Sequence, residues 1–215
     1  MKSLVQHINE SLNVDDASSE IRRFINENYD FDSIKISNNP NKDGKYEVNA
    51  IGDVEVKNLN ISSLTNGMFV WGTVKGAFRC HFCTKLETLE GCPSSVEGEF
   101  TCENAISLKS LNGAPKKVGG NFICMGCETL TDLKGSPTSI PNGWFLCNHC
   151  TSLKTLDGAP KTVDDDFRCH NCTSLKSLKG APKVVGCDFT CFDCAVDFTE
   201  DDVMKVSKVS GDICC

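Results

Sequence analysis

The apolar positions of this chain follow neither the 3.6-residue period of a long helix nor an unbroken alternation; they recur in phrases about 22 residues apart. Phe-x-Cys stands at Phe78, Phe100, Phe122, Phe145, Phe167 and Phe189, with steps of 22, 22, 23, 22 and 22 residues. The fullest unit runs from Cys172 through Leu175, Leu178, Gly180, Pro182, Val185, Phe189 and Cys191 to Cys194, giving C-x2-L-x2-L-x-G-x-P-x2-V-x3-F-x-C-x2-C. A unit this short cannot bury its own apolar face, so neighbouring copies must stack and share one core. Weaker copies bracket the six. Val54-x-Val56 lies upstream, followed by Leu59 where other copies carry a second cysteine, and Val209-x-Gly211-x-Ile213-x-Cys215 lies downstream. Eight strands at a spacing of about 4.8 Å would make a rod on the order of 35 Å long.

The flanks have a different texture. Ser18-Ser19-Glu20 opens an amphipathic helix with Ile21, Phe24 and Ile25 on one face, ending by Tyr29. Ile34-Lys35-Ile36 and Tyr46-Glu47-Val48 alternate around the turn-rich stretch 38–44, which predicts a hairpin with a long tip. Helix and hairpin together would cover the open first coil, whose bare edge would otherwise pair with other chains. Residues 199–206, TEDDVMKV, read as a short helix capped by Thr199. The predicted fold is a β-rich repeat solenoid with a small α+β N-terminal cap and a short C-terminal capping helix. Its divisions are an N-terminal peptide (1–16), the cap (17–51), the repeats (52–198) and the closing helix and strand (199–215).

The phrase F-x-C-x-x-C-x-x-L-x-x-L resembles that of leucine-rich repeats, in particular the cysteine-bearing, Pro-containing type of bacterial surface proteins, shortened by about one residue. The resemblance covers roughly residues 52–215 and departs from the commonest form in placing Val four residues before the Phe. The longer phrase, with PNKDGKYEV (40–48), GDVEVKN (52–58) and SLTNG (63–67), is similar to repeat proteins of tailed bacteriophages, which implies an origin and no activity.

Five Cys-x-x-Cys pairs, at 80/83, 124/127, 147/150, 169/172 and 191/194, raise the question of a zinc site. The period offers another account. The first cysteine follows the Phe by two residues and shares its face of the strand, so it should point inward as a small hydrophobe. The second lies where the strand turns, at the position that forms a hydrogen-bonded ladder in asparagine-type repeats. The second copy reads Phe100-Thr101-Cys102-Glu103-Asn104-Ala105, so alanine replaces the second cysteine without breaking the period. A buried filler tolerates that exchange and a metal ligand does not, which favours the ladder over zinc ligation or thiol redox chemistry. Cys214 and Cys215 are left open between reactive thiols and parts of the last strand.

With Lys+Arg 22 against Asp+Glu 29 and no basic run, the chain is not expected to bind duplex nucleic acid or an anionic membrane. Its apolar runs fall well short of the roughly 20 residues that span a bilayer, and MKSLVQHINESL lacks the continuous apolar core of a secretory signal, so a soluble, cytoplasmic protein with reduced thiols is expected. Among catalytic and phosphate-binding motifs, neither a nucleophile elbow, a phosphate loop, a paired-histidine motif nor a dinucleotide fingerprint is found, which predicts a non-enzymatic protein without a cofactor. Asp164-Asp165-Asp166 reads as a solvated turn.

If Phe and Cys face inward, the residues between them face outward. The column before each Phe is Ala77, Glu99, Asn121, Trp144, Asp166 and Asp188; the next is Arg79, Thr101, Ile123, Leu146, Arg168 and Thr190; the third is His81, Glu103, Met125, Asn148, His170 and Phe192. The middle coils thus gather Ile123, Met125, Trp144 and Leu146, flanked by Arg168 and His170, into a predicted protein-binding patch on a monomeric scaffold. The 23-residue step falls here, with Ile140-Pro141-Asn142-Gly143-Trp144 carrying the extra residue. A competing expectation rests on the N-terminus, where Met1, Leu4, Val5, Ile8 and Leu12 share a helical stripe and MKSLVQHINESL is similar to capsid-targeting peptides of some tailed phages. That resemblance implies a virion-packaged internal protein, cut after Ile8-Asn9-Glu10.

Overall fold

The computed structural model describes residues 14–215 and folds the repeat into the coils of a β-solenoid. Each Phe opens a two-residue strand: β6 (Phe78–Arg79), β8 (Phe100–Thr101), β10 (Phe122–Ile123), β12 (Phe145–Leu146), β14 (Phe167–Arg168) and β16 (Phe189–Thr190). These stack in parallel, Phe opposite Phe, and the weaker copies extend the sheet through β4 (Val54–Val56) and β18 (Ile213–Cys214). The antiparallel strand β1 (Tyr29–Phe31) closes the N-terminal edge and completes nine strands.

The Val that precedes each Phe begins a second wall. There β5 (Phe69–Val74), β7 (Ser95–Val96) and β9 (Lys117–Val118) form one sheet with the hairpin β2 (Ile34–Ile36) and β3 (Tyr46–Ala50). A separate sheet holds β11 (Ser139–Ile140), β13 (Thr162–Val163), β15 (Val184–Val185) and β17 (Lys208–Val209). The break between β9 and β11 has a local cause. In coil after coil the residue following the Val donates its N–H to the preceding Val or Ile carbonyl, as Gly119 does to Val96, Asp164 to Ile140 and Gly186 to Val163. Pro141 occupies that position in the interrupted coil and has no N–H to give. The extra residue of the same coil is absorbed at the corner, where Asn142 adopts φ 61°.

The core lies between the walls. All six Phe side chains are fully buried, and their rings follow one another at 5.1–6.2 Å. Trp71 and Tyr29 end the row, edge-on to each other at 5.4 Å. The leucine pairs of each coil fill the flank between the walls.

Two columns of left-handed residues turn the chain. Gly91, Gly113, Gly135, Gly158 and Gly180, at φ from 89° to 102°, make the turn before the second wall. A Cβ at Gly113 would lie 2.5 Å from the Leu89 carbonyl carbon, so that column is closed to side chains. The other column is the second spacer of each Cys-x-x-Cys phrase: Phe82, Asn104, Gly126, His149, Asn171 and Asp193 all have φ between 52° and 69°.

The caps follow the expected plan with three corrections. Helix α1 spans Val14–Asn28 and so begins before Ser18. The hairpin covers the second wall through β3 and β5, while β1, absent from the expectation, covers the first. Leu59 is exposed instead of buried in the second-cysteine slot, because Lys57 and Asn58 turn away to donate to the Asn28 carbonyl and Ile61 and Leu64 enter the core in its place. At the other end α2 (Glu200–Met204) is capped by Thr199 through a reciprocal bond pair with Asp202, as read from the sequence.

Candidate interaction face

The outer surface of the nine-stranded sheet brings the predicted residues together. Ile123 and Leu146 are register partners on β10 and β12, and Leu146 is the partner of Arg168 on β14. Met125, His170, Ile123, Leu146 and Arg168 are half-buried, whereas Trp144 is 39% exposed and Phe192, two coils further on, 38%. Phe192 was not among the predicted contact residues. Its third-column place alone could have found it.

Trp144 is held on three sides. Its indole N–H donates to Asp165 Oδ2 at 2.6 Å, its backbone N–H to Asn121 Oδ1 at 3.1 Å, and the Arg168 guanidinium lies 5.8 Å from its ring centroid. Arg168 is in turn fixed by a 2.6 Å ion pair with Asp166. The ring is thus presented in one orientation, with its remaining face open. Further along the same face His170 stacks on Phe192 at 4.6 Å and meets His149 edge-on at 5.5 Å. Burial, with His149 and Arg168 nearby, holds the His170 imidazole below its ordinary range, which favours its neutral form near pH 7.

The expectation that all three columns are wet needs correction. Thr101, Asn148, Asp166 and Thr190 are buried. In the first column the side chains tie coils together: Asp53 accepts the N–H of Ala77, Asn121 that of Trp144, Asp166 that of Asp188 and Asp188 that of Asp212. Asp166 is therefore part of a structural ladder and not of a solvated turn. Three polar atoms beneath the patch, Asn148 Oδ1, Arg168 Nε and His170 Nδ1, are buried and have no hydrogen-bond partner among the described residues.

The Cys-x-x-Cys phrases form the ladder that the repeat implied. The first cysteines are wholly buried, and the second cysteines Cys127, Cys150, Cys172 and Cys194 each donate to the carbonyl of the first cysteine one coil upstream, at 3.2–3.4 Å. Burial pushes the thiols of Cys150, Cys172, Cys194 and Cys83 up, Cys172 and Cys83 to about 12, which opposes the thiolate that zinc ligation requires. The cluster of ligand-type atoms found among the described residues, Asp165, Asp166 and Cys187, already serves the Trp144 indole and the Arg168 guanidinium.

Average charge concealed one feature. Lysines collect at the start of the second wall and beside it: Lys161 and Lys183 follow one another in adjacent coils, and Lys176, Lys179, Lys183 and Lys205 line a cleft of about 500 Å3 together with Asp197 and Asp202. The repeat-wise spacing of Lys161 and Lys183 after Pro160 and Pro182 is the signal that could have found it.

The N-terminal stripe from Met1 to Leu12 and the Ile8-Asn9-Glu10 phrase lie outside the described residues. None of the described helices is long and apolar enough to cross a membrane. Compared with protein-family models, curated proteins and solved structures, the chain matches none of them.

Proposed function

We propose that the protein is a non-enzymatic, leucine-rich-repeat-like scaffold that binds a protein partner through the outer face of its nine-stranded sheet, with Trp144 as the anchor. The observation that carries this reading is the presentation of Trp144: a large, partly exposed ring, orientated by Asp165 and Arg168, on the same face as Leu146 and its register partner Ile123. An aromatic residue held in this manner beside apolar neighbours makes a strong anchor, because little side-chain freedom is left to lose. The reading takes the scaffold as a monomer without a cofactor. The likeness of residues 40–48, 52–58 and 63–67 to phage repeat proteins supports a phage-encoded chain acting in the host cytoplasm or in the virion.

The test is capture of partners from host lysate on the immobilised full chain, with Trp144→Ala and Ile123→Asp in parallel. One protein retained by the native chain and lost in both variants, whose circular dichroism matches the native chain, supports the reading. Equal retention by all three overturns it.

A further inference from the structure

We propose that Cys191 and Cys215 join in a disulfide when the protein meets an oxidised low-molecular-weight thiol of the glutathione disulfide type, and that this bond fastens β18 to β16. The two sulfurs lie 3.1 Å apart. A formed bond is about 2.05 Å long. The pairing of Phe189 with Ile213 and of Thr190 with Cys214 sets Cys191 opposite Cys215 across parallel strands. Parallel neighbours stand about 4.8 Å apart, within the Cα separation that disulfides accept.

Accessibility singles out this pair. Cys102 and Cys127 also approach each other through sulfur, but both are wholly buried, and a reagent does not reach them. Cys215 is exposed, and the Cys191 sulfur lies directly behind it. Burial and the neighbouring Cys215 sulfur push the Cys191 thiol up, so Cys215 is the thiol that reacts first.

The chemistry then balances in two exchanges. The Cys215 thiolate attacks one sulfur of glutathione disulfide, breaks its S–S bond, releases one glutathione thiolate and leaves a mixed disulfide on Cys215. The Cys191 thiol then attacks the Cys215 sulfur, its proton passing to the second glutathione sulfur as that group departs as the free thiol. Two protein thiols are oxidised by two electrons in all, and one glutathione disulfide is reduced to two glutathiones. The product closes the 24-residue separation between the cysteines around α2 and β17. It therefore ties β18 to β16 covalently and encloses α2 and β17 in the loop so formed.

The experiment treats the full chain with glutathione disulfide, blocks the remaining thiols and digests with trypsin. Cleavage after Lys205 and Lys208 places Cys191 and Cys215 on separate peptides. The expected result is a linked peptide pair that reductant separates, with a higher thermal midpoint for the oxidised chain than for the reduced one. Cys214→Ser should keep both the linkage and the rise; Cys191→Ser and Cys215→Ser should lose both. Recovery of Cys215 as a stable glutathione adduct, linkage of Cys215 to Cys214, linkage that persists in Cys191→Ser, or an unchanged midpoint on oxidation would each overturn the proposal. Should Cys191→Ser fail to fold, Cys215→Ser at its exposed position decides the matter.

Discussion

The thiol of Cys150 donates to the carbonyl oxygen of Cys124, one coil upstream, at 3.2 Å. Both residues are fully buried, so the bond satisfies a carbonyl at the bend where the strand has left the sheet ladder. Ala105 occupies the equivalent slot in the second coil and fills it without making the bond. Cys150→Ala should consequently cost only about 1–2 kcal/mol, a lost weak hydrogen bond and a small cavity. Urea denaturation of the variant measures this, and a chelator should leave the native midpoint where it was.

The same burial makes a pH prediction. Cys83 and Cys172 are held up to about 12 in the fold, whereas exposed thiols ionise near 9.0. Below 9.0 both states keep their protons and stability is unaffected; above it the unfolded chain ionises first, so stability should fall progressively from about pH 9 towards 12. Thermal midpoints between pH 7 and pH 11 follow this, and Cys172→Ala should flatten the slope.

The Phe row predicts a much larger effect. Phe122 packs at 5.1 Å on Phe100 and on Phe145, so Phe122→Ala empties a slot shared by three coils. A loss of about 3–5 kcal/mol is expected in chemical denaturation.

At the left-handed corner before the second cysteine, Phe82 has φ 56° with its ring half exposed. Asn104 and Asn171 take the same conformation in other coils with a side chain that tolerates it. Phe82→Asn should stabilise the protein by on the order of 1 kcal/mol, read as a raised thermal midpoint.

Trp144→Ala removes an exposed ring, the hydrogen bond to Asp165 and the contact with Arg168. The expected cost to folding is about 1 kcal/mol, against roughly 3–5 for a tryptophan in a core. Denaturation of this variant beside Phe122→Ala compares the two directly.

The period, the inward Phe and Cys columns, the capped closing helix and the outward placement of Trp144 were legible in the sequence, because a repeat places each residue type on the same side of every coil. The inward reading of the second cysteines was legible for the same reason, through the single exception at Ala105. What the tertiary structure decided depends on contacts between coils. The break of the second wall follows from the N–H that Pro141 cannot offer to a neighbouring coil. The place of Leu59 was settled by the Asn28 carbonyl drawing the chain away. The first outward column became partly structural because an aspartate or asparagine there reaches the backbone N–H of the next coil, as Asp166 reaches Asp188. The period fixes which side of a coil a residue takes; whether it meets solvent or a neighbour is set by what the adjacent coil places against it.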